Sequence, residues 1–215
     1  MNIIDDLLNL EQPFSQNPVR FSTPILLLKG ARKLAGRNLK TGVYEKKEFN
    51  DNNFDEGTYH SFQFMSISNY LILLEQFGGL FNNKLKPEPT ETNEIQRALE
   101  NFTNMQPIER NAIYSLRNSL LHRFGLTTEL KLGKPEFMHK FTLSIERNSE
   151  VVSIREKDWN SFSDKDSLSN TKVYIIDLID LIERIYSDII IGYKTGNVEL
   201  RIDEKELKAR YTITY

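Results

Sequence analysis

Residues 171–193 constrain the fold more than any other stretch, because Val173, Ile176, Ile179, Ile182, Ile185 and Ile189 recur every three or four positions with further Ile, Leu and Tyr between them. Apolar residues at that period line one side of an α-helix, and the additional ones widen the stripe around it. So apolar a helix is stable only when other helices cover it, which predicts that it is central to a helical bundle. Its polar residues, Asp177, Asp180, Arg184 and Asp188, read as a solvated face rather than a cation site, since Arg184 sits among the carboxylates.

The rest of the chain supplies candidates to pack around it. Residues 59–81 carry Phe62, Met65, Tyr70, Leu73, Leu74, Phe77 and Phe81 on a broad apolar surface, with Gly78 and Gly79 marking a bend or stop. A helix capped at Ser22-Thr23-Pro24 is expected to run to about Leu39. Another, over 91–104, leads through Met105-Gln106-Pro107 into a further helix, so these two should form an antiparallel pair. A short acidic helix is expected over 3–10, and an exposed loop over 41–58. Past Gly125 the period changes to two: Phe141, Leu143 and Ile145, then Val152 and Ile154, flank a turn near Asn148, which predicts a β-hairpin over 139–158 with Trp159 anchoring its exit. Residues 196–215 form a C-terminal extension of undetermined structure, with 198–202 readable as a strand and 203–210 as a helical turn or two. The expected architecture is one mainly α domain over 1–215. It has about five helices and a β-hairpin inserted before the last long helix.

Composition removes several classes of function. There is no cysteine, which excludes disulfides and thiol chemistry, and the three histidines are too scattered for a zinc site, so no metal or cofactor is expected. The first ten residues, MNIIDDLLNL, lack the basic start of a secretory signal. No apolar run approaches the ~18 residues of a membrane span, so the expectation is a soluble cytoplasmic protein with no membrane partner. The net charge is -2, yet residues 20–47 hold eight Lys and Arg against Glu45 alone, a local +7. On the helix expected there, Lys29, Arg32, Lys33, Arg37 and Lys40 fall within an arc of roughly 140° opposite Leu27, Ala31, Leu34 and Ala35. That face suits RNA phosphates; the competing reading is a solvated face paired with acids elsewhere.

Chemistry concentrates in residues 107–126, PIERNAIYSLRNSLLHRFGL. Pro107 suits a first helical turn and Gly125 the far end. Ile113, Leu116, Leu120 and Phe124 share an apolar face, while Asn111, Ser115, Asn118 and His122 lie opposite. Arg117 and His122 are five residues apart, about 140° around an ideal helix, whereas Asn118 and His122 are i, i+4 neighbours, so the amide is placed to hold the imidazole. Ala112, Ser115 and Ser119 add small residues along which another backbone can approach.

The run Arg117-Asn118-x-x-x-His122 resembles the signature of the HEPN superfamily, all-α proteins marked by Arg, a polar residue and a following His on a late helix. The resemblance is confined mainly to residues 111–125. It implies a HEPN-like bundle and metal-independent RNA cleavage, with RNA as substrate and two motifs meeting across a homodimer. Arg117, Asn118 and His122 would be the catalytic residues, and Ala112, Ser115 and Ser119 would line the dimer interface. A toxin or defence effector, with an antitoxin or regulatory protein as partner, is the setting that goes with it. The alternative is a non-catalytic HEPN-like module that binds nucleotide or a protein.

Overall fold

The computed structural model describes residues 7–8, 10, 15–16, 19–45, 56–123, 125–128, 137–158, 161 and 165–214. Trp159, Phe124, most of the expected helix over 3–10 and much of the loop over 41–58 lie outside the described residues.

Local sequence accounts for most of the helix ends. Pro24 enters the first turn of α1 (Thr23–Leu34), and Asn93 caps α3 (Glu94–Phe102) by accepting from the Ile95 and Gln96 amides at 3.0 and 3.4 Å. Pro107 opens α4 (Pro107–Arg123), where the Glu109 carboxylate accepts from the Gln106 amide at 2.6 Å, the back half of a capping box. The far end closes through the Gly125 amide, which donates to the Ser119 carbonyl at 3.2 Å.

The hub of the bundle is α2 (Glu56–Leu80), which packs against α1, α3, α4 and also α5 (Ile175–Thr195). Ile67, Tyr70, Leu71, Leu73, Leu74, Phe77 and Leu80 are all buried and cover about half its circumference, so it serves several neighbours at once. The helix over 171–193, expected to hold the centre, shares that role instead. α2 runs through Gly78 and Gly79 and ends at Leu80. A Cβ on Gly78 would lie 1.7 Å from the Glu94 carbonyl oxygen, so the missing side chain is what lets α3 start against α2.

Three small sheets complete the described fold. β1 (Ser15–Gln16) pairs antiparallel with β2 (Val19–Ser22), which pairs with β8 (Thr212–Thr214); β3 (Phe81–Asn83) pairs with β7 (Val198–Leu200). The third sheet corrects the expected hairpin. β4 (Phe141–Ser144) and β5 (Val152–Ser153) do not pair with each other; both flank β6 (Thr171–Tyr174), β4 in parallel and β5 antiparallel. The residues of β6 were expected to begin the long helix, but Thr171 and Val173 alternate with Lys172 and Tyr174, and both are fully buried. β-branched residues at period two fit a half-buried strand better than a first helical turn. A three-stranded sheet also has a buried face that a lone hairpin lacks. The C-terminal extension forms β7, α6 (Glu204–Tyr211) and β8. The fold is mainly α, and no helix among the described residues is long and apolar enough to cross a membrane.

Candidate functional site

The motif helix is anchored by Ile113, Leu116 and Leu120, all fully buried, which leaves Arg117 at one edge of the buried face and His122 beyond the other. Side chains on a helix lean toward its N-terminus, so His122 tilts back over the turn carrying Asn118 while the long Arg117 side chain reaches across. The two meet: Arg117 Nη1 donates to His122 Nε2 at 3.1 Å and to Asn118 Oδ1 at 3.1 Å. Arginine has no acceptor, so a hydrogen bond between them requires Nε2 to be the unprotonated ring nitrogen. Asn118 thus holds the arginine rather than the imidazole, contrary to the i, i+4 expectation.

A fourth residue belongs to this constellation. Glu75, on α2, accepts from Arg117 Nη2 through both carboxylate oxygens, at 2.8 and 2.6 Å. The pair is partly shielded, with 18% of the arginine side chain and 28% of the glutamate side chain exposed, whereas His122 is exposed. Tyr211, at the end of α6, is also near. Burial raises its phenol above the ordinary value, Arg210 opposes this, and the Glu206, Glu94 and Glu75 carboxylates add to the rise. Nothing local in the sequence marks Glu75, which lies 42 residues before its partner.

The three motif residues therefore converge within one chain, and the 140° separation gives no reason of its own to bring in a second copy. Ala112, Ser115 and Ser119 are buried inside the chain, so they are not a free dimer surface. The Ser119 hydroxyl lies 2.7 Å from the Gly125 carbonyl and 3.0 Å from that of Thr127, and β5 packs on the same helix. The close approach that small residues permit is used intramolecularly.

The basic face is also smaller than expected. α1 ends at Leu34 and Gly36 turns the chain at φ +67°, so Arg37 and Lys40 do not continue its surface. Arg32 falls between Ala31 and Ile25 on the buried arc, only 2% exposed, and forms a two-point ion pair with Glu183 of α5 at 2.8 and 2.6 Å. Arg37, also buried, pairs with Asp180 at 2.5 Å and donates to the Gly42 carbonyl at 2.9 Å. Neither is placed to contact RNA. Lys33 and Lys40 remain exposed and Lys29 half-buried. The stripe on α5 divides accordingly: Asp177 and Asp180 hold Arg147, while Arg184 and Asp188 are exposed. Among the described residues no group of three His, Asp or Glu is arranged to hold a metal ion.

Compared with protein-family models, curated proteins and solved structures, the chain matches none. The likeness to the HEPN signature rests on Arg117, Asn118 and His122.

Proposed function

We propose that this protein is a HEPN-like, metal-independent RNA endonuclease of the kind used as a toxin or defence effector, with Arg117, Asn118 and His122 as its catalytic residues. The supporting observation is the 3.1 Å approach of Arg117 Nη1 to His122 Nε2 on an exposed edge of α4. It brings a permanent cation beside an imidazole, the pair needed to stabilise phosphorane charge and to move a proton. A ribose 2′-oxygen attacks the adjacent phosphorus as its proton passes to His122 Nε2, which gives up its bond to Arg117 to accept it. The P–O5′ bond breaks, and the leaving oxygen takes a proton back from the His122 imidazolium, giving a 5′-hydroxyl and a 2′,3′-cyclic phosphate. Arg117 balances the added negative charge, and Asn118 keeps the guanidinium in place.

The test is cleavage of single-stranded RNA by the purified chain in EDTA. RNA should be cut and DNA spared, with a cyclic phosphate at the new 3′ end. His122→Ala should lower the rate by about 10²- to 10⁴-fold and Arg117→Ala by a similar order, each with an unchanged circular dichroism spectrum. Activity that needs a divalent metal, or a fully active His122→Ala protein, would overturn the assignment. The Glu75 ion pair, which occupies Arg117, favours a second reading: a non-catalytic module that binds nucleotide or a protein through the same residues. Folded protein that binds RNA or nucleotide through Arg117 without cutting would decide for it.

A further inference from the structure

The hydrogen bonds of Arg117 leave no terminal donor free for a substrate. Its two Nη1 hydrogens are directed to Asn118 and His122, and its two Nη2 hydrogens to the two oxygens of Glu75. Only Nε–H remains, and that nitrogen is buried with no hydrogen-bond partner among the described residues. An arginine that recognises phosphate does so with a pair of outward donors, and here both pairs are taken. One protein partner must therefore leave before a phosphate can bind.

We propose that Glu75 is that partner, an internal carboxylate that holds the place of the substrate phosphate on Arg117 and sets how readily an anion enters. This rests on the reading of the motif as a phosphate site. Asn118 is the next residue on the same helix and is neutral, so an incoming anion does not repel it. His122 must give up its Arg117 bond when Nε2 takes the proton, but that frees one donor and not the pair a phosphate needs. Glu75 alone carries the charge of the ligand: two oxyanions sharing one guanidinium repel each other at close range, and a side chain with 28% of its surface exposed can turn to water. Binding is then an exchange of one anion for another. Glu75 acts as a specificity-determining residue, since a weakly charged ligand gains less than a phosphate from displacing it.

The experiment is titration of the full chain with inorganic phosphate, followed through the His122 ring resonances, for the wild type, Glu75→Gln and Arg117→Met. Glu75→Gln keeps the shape and a hydrogen-bond acceptor but removes the charge. It should bind phosphate about two- to tenfold more tightly than wild type, the range for loss of one partly exposed ion pair as a competitor. Arg117→Met should abolish the response. In the wild type, the Glu75 side-chain carboxyl resonance should move in step with that of His122, a measurement that needs no variant to fold. Affinity equal to or below wild type in folded Glu75→Gln, or a Glu75 signal that stays still while His122 responds, overturns the exchange and leaves the phosphate site standing. No Arg117-dependent response in either wild type or Glu75→Gln removes the phosphate-site reading itself, and the exchange with it.

Discussion

Arg32 and Arg117 each meet a glutamate from a neighbouring helix, and each makes four hydrogen bonds among the described residues. Their partners differ in kind. Around Arg32, Glu183 is locked by the Tyr70 hydroxyl, which donates to it at 2.6 Å, and two bonds run to the Leu39 and Lys40 carbonyls, at 2.9 and 3.1 Å, which cannot rotate away. The Tyr186 ring lies 5.5 Å from the guanidinium carbon. Burial pushes the Tyr186 phenol up to about 12, while Arg32 opposes the shift and Glu183 adds to it. Around Arg117 every partner is a side chain with rotatable bonds, and one of them, His122, is in water. The number of bonds does not separate a structural cation from an exchangeable one. The freedom of the partners does.

The largest effect that follows is on stability. Arg32→Met strands the Glu183 carboxylate in the interior and should cost about 3–5 kcal/mol, read from urea unfolding. Arg117→Met leaves Glu75 near solvent and should cost only about 1 kcal/mol or less. Similar losses for both would break the distinction.

A smaller effect belongs to Asp180, which joins the buried side to the surface. Burial alone would raise its pKa, but hydrogen bonds from Arg147 and Arg37 outweigh it and hold the carboxyl below its ordinary 3.8. A depressed carboxylate stabilises the folded state above its unfolded pKa, and that contribution disappears as the pH falls through the folded value. Stability should therefore decline below about pH 4. Asp180→Asn should be less stable near neutrality and show a flatter decline in acid, measured as Tm against pH. A parallel curve for the variant would show that the carboxylate is not the group being titrated.

The smallest effect concerns the lysines left on the surface. Lys33→Glu and Lys40→Glu should each weaken RNA binding uniformly across sequences and reduce the salt slope by about one or less. Identical slopes in wild type and variants would leave that surface without a role in binding.

Legibility in the sequence follows how local each cause is. The span of α4 was readable because Pro107, the buried triad and the break at Gly125 all act within a few residues of one another. The proximity of Arg117 to His122 was not readable from angular separation, because side-chain reach and tilt offset the 140°. The basic arc misled because Arg32 answers to Glu183, 151 residues away, and helical projection carries no information about such a partner. The packing role of Gly78 was hidden for the same reason, since the α3 backbone that needs the space arrives from elsewhere. In β6, the alternation of Thr171 and Val173 was present but was absorbed into the stronger period of the helix that follows.

The pairing of β2 with β8 has a consequence in time. Arg20 stands opposite Thr214, partners 194 residues apart. At ~5–20 residues per second, a ribosome needs roughly 10 to 40 s to go from one to the other. Throughout that interval the nascent β2 strand has β1 on one side and an open edge on the other, exposed to any passing strand. The small sheet that ties residues 19–22 to 212–214 is thus completed only after everything between them has been made, and the nascent chain is most vulnerable to mispairing while it waits.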